Sequence, residues 1–576
     1  MAKLIKWGVA IMKSEIDIDL NNPLPYIFLV FILSSFFYKT YSSDKLLAIA
    51  IVSGFFLLLL FYKGIFITAI ISLFFAVGLF NNHQFYNYIP DNIEEIRIDT
   101  IKSYYVRGKI GGRNVYLDIE SDELVVGDKI LAIGKFNKNL DLSKGIIGEY
   151  KVENYNVLKK DFISYLYYRR ERLYEAIKSK LGRRKAGFIT SVAFGYSEAL
   201  DNEDRDDMKV FGISHAIAVS GLHMAIVYGI LKKLFGSKLS LVIALAYVLF
   251  TGASPSTVRA YIMILIMNFA LVVKRNYNPI AAISLAGIIL LIVRPYDLFS
   301  LGFVLSFLAT LGIILFNKKL NKKLYKLPKK IREVVSVSIS AQILTFPILI
   351  YSFNEFSLNF LIGNIFIIPI INILVLIGNL LLIFYKITPV FNYLLYLCYW
   401  CIKFIDNIMD FFWDYKIDIL YLNFTIAFFY SILIITYYFY RKGYKKFILL
   451  PIISLIYIFI LNYNPIPNIR YYKEGALLVS FRGENILIQT KALVDKVKLK
   501  KITMSDNIYK DFNEINIKDK IIIKKEGKNY KVETVKKEYM LVVNKEKIDT
   551  EYDIIDFSTG DLQEVIIFDD KVISRW

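Results

Sequence analysis

The chain has 576 residues, 56% of them hydrophobic and 16% aromatic, and carries a formal net charge of +20 from 71 Lys and Arg against 51 Asp and Glu. That is more apolar material than a soluble domain can bury, so composition excludes a soluble globular protein and predicts a polytopic α-helical membrane protein. The only cysteines, Cys398 and Cys401 in LCYWCIKF, make no disulfide framework; they read as a redox or metal-binding C-x-x-C or, as the apolar run favours, as two buried thiols at helical spacing.

In chain order, the basic segment AKLIKWGVAIMK is followed by SEIDIDLNNP rather than by a cleavage site, so no cleaved signal peptide is expected. Apolar runs near 25–40, 45–62 and 64–80 each approach the length that crosses about 30 Å of hydrocarbon at about 1.5 Å per residue. They define an N-terminal membrane region, 1–82, and three crossings from an inside N-terminus place the next segment outside. Residues 90–157 alternate like strands, with a Gly111-Gly112 turn and a second turn at Val126-Gly127-Asp128-Lys129, and predict an extracytoplasmic OB-like β-barrel. Such barrels bind single-stranded nucleic acid through aromatics beside cations, and Tyr104, Tyr105, Arg107 and Arg113 qualify by type; half-buried strands with solvated charges are the plainer reading. A basic region, 158–208, begins with an amphipathic helix over 161–186 that puts Leu166, Leu173, Ile177 and Leu181 near one side. Its cations, Arg169, Arg170, Arg183 and Arg184 among them, suit either an interfacial helix on anionic headgroups or a phosphate-attracting apron at the mouth of a pore.

The region 209–463 holds ten apolar segments, near 210–231, 239–252, 256–273, 278–293, 300–316, 333–352, 358–385, 389–412, 420–440 and 447–462, of which 389–412 could instead lie in the interface. Counted from an outer start, Lys232-Lys233, Lys274-Arg275, the run at 317–332 and RKGYKK at 441–446 all fall inside, as the bias of short loops demands. The run at 317–332 is first a topology anchor and second a docking surface for a cytoplasmic partner. Residues 466–576 form a small β-rich domain, outside by the same count, with no histidine and no cysteine.

Polar groups in hydrocarbon cost several kcal/mol unless they face protein, water or substrate. Three clusters therefore stand out: His215, Ser220 and His223 with Gly221; the broken stretch FTGASPSTVRAY, where Gly252 and Pro255 end one helix and Arg259 opens the next; and Ser340, Gln342, Asn359 and Asn364. Arg259 either lines a site or snorkels to the interface. Ser220 with His215 or His223 offers a nucleophile and base, with no acid nearby to orient the base. No P-loop occurs, and no His/Asp/Glu set has metal-ligand spacing, so neither a metal nor another cofactor is expected.

The motifs ISHAIAVSGLHMAIV (213–227), LFTGASPSTVRAYIM (249–263), RPYDLFSLGFVLSFLATLGI (294–313) and SAQILTFPILIYSFNEFSLNFLIGNIFIIPI (340–370) resemble, in order, those of the ComEC family of DNA-internalisation proteins. The resemblance implies a channel that passes single-stranded DNA across the cell membrane in natural transformation. It implies a cytoplasmic DNA-motor ATPase and an extracytoplasmic DNA receptor, and the polar residues His215, Ser220, His223, Arg259, Gln342 and Asn364 are the candidates for lining a wet path. Longer members end in a metallo-β-lactamase-like domain; residues 466–576 lack any histidine for its H-x-H-x-D-H cluster, so nuclease activity is not expected and strand removal falls to a separate nuclease. A secondary transporter for a small solute, or an intramembrane hydrolase using Ser220 and His223, are the rival readings.

Overall fold

A computed structural model describes residues 22–102, 105–119, 124–217, 219–274, 276–491, 494–505, 507–534, 537–544, 552–558, 563–568 and 571–575. Tyr104 and Arg275, and the segment at 1–21, lie outside the described residues. The chain forms two compact units, one running through Thr345 together with Ser357–Asp418, the other Phe346–Phe356 with Ile419–Trp576.

The first unit opens with helix α1 (Leu24–Ser43) and α2 (Lys45–Tyr86). A straight 42-residue α2 would be about 63 Å long, yet it has a non-helical Gly64 (φ 80°, ψ 174°), and the rings of Phe56 and Phe75 lie 5.5 Å apart. Nineteen residues of straight helix would separate them by about 28 Å, so the chain doubles back at Gly64, a conformation open to glycine alone. The three apolar runs of the sequence are three antiparallel limbs.

Strands β1 (Ile93–Lys102), β2 (Tyr105–Ile110), β3 (Arg113–Asp118), β4 (Lys129–Asn137) and β5 (Ile146–Val157) close a barrel in the order β1-β2-β3-β5-β4, with β3 and β5 parallel and the other pairs antiparallel. This is the OB-like arrangement expected. Gly111 and Gly112, both with φ above zero (53° and 82°), make the tight β2–β3 turn. Alternate residues Ile96, Ile98, Ile110, Val115, Ile130 and Ile147 fill the interior.

Helix α3 (Phe162–Leu181) ends at Gly182 (φ 80°, ψ 167°), and α4 (Arg183–Phe194) follows. The single amphipathic helix predicted to run to 186 is therefore two, and they differ in kind: every residue of α4 from Ala186 to Phe194 is buried. Gly187 abuts the Ala199 carbonyl and Gly378 abuts Ala193, so helices meet at backbone contact. Helix α5 (Asn202–Val210) is short and acidic.

Helix α6 (Gly221–Phe250) starts about ten residues later than the segment expected at 210, because residues 211–220 are a 3-10 turn flanked by irregular chain. It too contains a reversed glycine, Gly236 (φ 71°, ψ 175°). Twenty-nine residues of straight helix would put Gly221 about 43 Å from Phe250, yet Gly221 packs on Arg259, nine residues beyond Phe250. The helix is a hairpin. Then come α7 (Pro255–Val272), α8 (Pro279–Val293), α9 (Leu301–Lys323) and α10 (Lys329–Phe353).

Helices α11 (Phe360–Ile383) and α12 (Thr388–Trp413) return the chain to its starting level. Asn359, 1% exposed, donates to the carbonyls of Val210 (3.0 Å) and Ile417 (2.8 Å) and accepts from the Ile417 amide (2.9 Å). This clasp holds 359 beside 417, so α11 and α12 are a hairpin. Its stripe of Phe391, Leu394, Leu395, Cys398, Ile402, Ile405 and Met409 is buried at helical spacing, and both cysteines are free thiols.

In the second unit, α13 (Phe424–Arg441) and α14 (Leu449–Tyr463) precede a β-rich domain. There β6 (Asn468–Tyr472), β7 (Ala476–Phe481), β8 (Glu484–Gln489), β9 (Asn507–Tyr509), β15 (Glu564–Phe568) and β16 (Lys571–Arg575) form one sheet, and β10 (Glu514–Ile517) through β14 (Asp553–Asp556) a second. Ile469, Leu477 and Val479 share one core with Ile523, Val532 and Leu541, as two packed sheets require.

Candidate nucleic-acid path

The membrane part of the site is built where two helices break. Gly212 (φ 64°) lies so close to Phe360 that a Cβ would stand 2.7 Å from that residue's Cβ, and Gly363 abuts the Phe211 carbonyl. The irregular stretch 211–220 is thereby pressed against the start of α11, which itself takes a π-helical turn over Gly363–Ile367, a local distortion common at functional sites. Asn364 sits in this turn and donates to the Phe360 carbonyl (2.7 Å).

Ile213, Ala216 and Val219 are buried, but Ser214 and His215 are open to solvent. Ser220 begins α6, and its backbone N–H donates to His223 Nδ1 (3.3 Å), with His223 itself 1% exposed. His223 thus takes the place of the Glu or Gln of a capping box. That use of Nδ1 gives the Ser220 and His223 pair a capping geometry in place of the nucleophile and base arrangement.

At the second break, Gly252 (φ 85°) and Ala253 (φ 49°) turn the chain, Ser254 caps α7 through the Thr257 amide, and Pro255 occupies its first turn. One turn in, Arg259 is 7% exposed, Nε donates to Ser306 Oγ on α9 (2.8 Å), and Nη1 approaches the Met263 sulfur (3.5 Å). Its ring neighbour is Phe307, 5.9 Å from the guanidinium carbon. Among the described residues no carboxylate pairs with it, and Nη2 lies against Gly221, at the N-terminus of α6. A buried guanidinium is therefore aimed at a positive helix end, an arrangement whose electrostatics favour an anion between them. Arg259 does not snorkel. Ser306, its partner, lies within the motif at 294–313 but carries no signal a sequence reading could single out. Gln342 accepts from Thr345 on its own helix, α10 (3.1 Å), a local bond that does not tie it to Arg259.

On the barrel, Tyr105, Arg107, Tyr116, Leu117, Asp118, Lys144 and Glu149 line an open concavity of about 620 Å³. The Tyr105 and Tyr116 rings are 5.5 Å apart, edge to face. Arg107 is committed to Asp99 (Nη2 2.5 Å, Nε 3.0 Å), which also pairs with Lys109. Burial pushes the Asp99 carboxyl up, but the two cations overcome that and hold it below its usual range. With Asp118 and Glu149 also lining it, the concavity is aromatic rather than strongly cationic.

Other expected cations turn out to hold the fold. Arg113 caps the end of α2 through the Phe85 (2.9 Å) and Gln84 (3.3 Å) carbonyls and stacks on Tyr88. Arg170 is buried between the rings of Tyr167 and Tyr196. Arg184 bridges Asp204 (2.7 Å) and Asp406 (2.9 Å), joining α4, α5 and α12. Arg169, stacked on Tyr165, and Arg183 stay near the surface. Of the four apron arginines Arg169, Arg170, Arg183 and Arg184, these two stay open.

Residues 192–443 match the family described as competence protein. The match covers somewhat under half of the chain. Among curated proteins, ComE operon protein 3 of Bacillus subtilis is 29% identical over 36% of this chain and 28% of its own length, and recombination protein 2 of Haemophilus influenzae is 26% identical over 36% and 29%. An uncharacterized protein of Aquifex aeolicus is 30% identical over 25% of this chain and 37% of its own. The matches thus span less than two fifths of each relative. No solved structure matches the chain. The matched region covers both breaks of the helical core.

Proposed function

We propose that this competence-family protein is the membrane conduit through which single-stranded DNA enters the cytoplasm. The observation that carries this reading is Arg259: a buried guanidinium with no carboxylate partner among the described residues, facing the N-terminus of the helix that follows the solvent-open Ser214 and His215. Successive phosphates cannot cross lipid, because an unpaired charge in a low-dielectric medium costs on the order of 20 kcal/mol by an idealised estimate, so they need a wet path with donors. Sparse charge and neutral donors such as Ser306 and Asn364 admit an anion without trapping it.

In this scheme the barrel faces outward and receives the strand, its Tyr105 and Tyr116 offering stacking surfaces and Arg169 and Arg183 attracting phosphates. The lysine-rich loop at 317–332 faces the cytoplasm, where a motor ATPase would dock; an outer DNA receptor and a separate nuclease would supply the strand. The protein itself is proposed to have no nuclease activity, and among the described residues no group of three or more His, Cys, Asp or Glu is placed to hold a metal.

The test is Arg259→Gln in the native host, scored by entry of labelled DNA into the cytoplasm at matched protein level. One charge-assisted contact is worth about 1.5–3 kcal/mol, so uptake should fall about tenfold or more, with Arg259→Lys intermediate. Undiminished uptake by Arg259→Gln would sink the proposal.

A further inference from the structure

A second polar recess lies where the barrel meets the ends of two membrane helices. A pocket of about 320 Å³ is bounded above by the Gly111-Gly112 turn and below by the last turns of α2 and α8. Three cations line it, Lys109, Arg113 and Arg294. Among the described residues neither Arg113 nor Arg294 has a carboxylate partner; Arg294 donates to the Ala253 carbonyl (3.0 Å), and Arg113 to backbone carbonyls. Lys109 pairs with Asp99, which it shares with Arg107. The pocket therefore keeps a net positive charge, although Asp297 attracts Arg294 and Lys109.

Its lower rim is apolar and exposed. Ile292 and Val293 of α8 are 45% and 62% exposed, and Val77 and Phe80 of α2 are 48% and 62% exposed. Asn81 donates to the Ile292 carbonyl (3.1 Å) and pins the two helices together at this level. An apolar strip of two adjacent membrane helices thus leads up to a cationic recess at their ends. That is the geometry of a phospholipid: acyl chains on the strip, phosphate in the recess. A nucleic-acid subsite would have no use for the apolar strip.

We propose that Lys109, Arg113 and Arg294 hold the phosphate of one anionic phospholipid beneath the barrel, its chains lying along Phe80 and Val293. The lipid would seal the barrel to the helices beside the α8–α9 connection.

The test is native mass spectrometry of the full chain released from mixed micelles holding equal phosphatidylglycerol and phosphatidylcholine. Each basic side chain near an anionic headgroup favours it about fivefold, so wild-type protein should retain phosphatidylglycerol about tenfold or more over phosphatidylcholine. Arg294→Gln should cut that preference about fivefold, and Arg294→Lys should keep most of it. Should Arg294→Gln fail to accumulate, Gln84→Glu, which adds a carboxylate at the exposed pocket mouth, should lower the preference instead. Equal retention of the two lipids, or a preference that neither variant changes, overturns the proposal. Displacement of the lipid by millimolar inorganic phosphate would make this a free-anion site, and displacement by an oligothymidylate a nucleic-acid subsite; either outcome also overturns it.

Discussion

At the scale of single residues, the polar side chains of this membrane domain divide into those that have partners and those that do not. Asp297, in the short α8–α9 connection, is 4% exposed, and its Oδ2 has no hydrogen-bond partner. Burial pushes its carboxyl up to about 6, against the opposing attraction of Arg294. Because the folded value lies above that of the unfolded chain, the native state holds the proton longer, and stability falls as pH rises from about 4 through 6. Asp297→Asn should therefore raise the thermal midpoint of the purified protein at pH 7.5, by on the order of 2–3 kcal/mol of stability, and change nothing near pH 4. A variant less stable than wild type at pH 7.5 would mean that the ionised carboxylate has a partner the structure does not contain. His223 gives a second residue-scale prediction. If it closes a capping box at Ser220, His223→Ala should cost about 0.5–2 kcal/mol in thermal unfolding, and His223→Gln, the usual residue at that position, should recover most of it.

Between residues and the whole lie the helical hairpins, and here sequence and structure part company in an instructive way. Hydropathy is a local property, so each apolar run, the Gly-Gly turn and the breaks at Gly252 and Pro255 were legible from the chain alone. Two helices assigned as continuous, α2 and α6, even confirm the separate runs, since Gly64 and Gly236 fold each into two limbs. What could not be read is who pairs with whom. Arg184 finds Asp406 across 222 positions and Arg170 lies between the rings of Tyr167 and Tyr196, so two cations that looked like a DNA apron are fixed in the fold. The same blindness hid Asn359: it reads as scattered polar glue, but it closes the α11–α12 hairpin. Asn359→Ala would leave two carbonyls and one amide without its bonds in a buried site, at a cost of about 1–3 kcal/mol for each unsatisfied group that water cannot reach. Loss of the folded protein from the membrane, or a thermal midpoint lowered by several degrees, is expected. Asn359→Asp should fail as well, since a carboxylate can accept from Ile417 but cannot donate to Val210. Full stability of the Asp variant would contradict the clasp.

For the whole molecule, the decisive quantity is parity. Three limbs, in α1 and α2, precede the barrel, and ten come after it before the β-rich domain: two in α6, then α7 through α14. If each limb crosses once, an even number returns the chain to the same side, and the hairpin of α6 leaves that result unchanged however deeply its 14- and 15-residue limbs penetrate. On that proposed count the short basic segments at Lys232-Lys233, at 317–332 and at 441–446 are expected on the opposite side, which the positive-inside rule would make the cytoplasm. The resulting expectation concerns three exposed lysines changed singly to cysteine: Lys135 on the barrel, Lys322 in the last turn of α9 and Lys520 in the β-rich domain. In intact cells a membrane-impermeant maleimide should label Lys135→Cys and Lys520→Cys but reach Lys322→Cys only after the membrane is opened. The unchanged protein, whose Cys398 is buried and Cys401 half-buried, sets the background. Labelling of Lys135→Cys without Lys520→Cys would break the parity and remove one crossing from the ten; labelling of Lys322→Cys alone would invert the whole molecule and with it the direction in which DNA is proposed to travel.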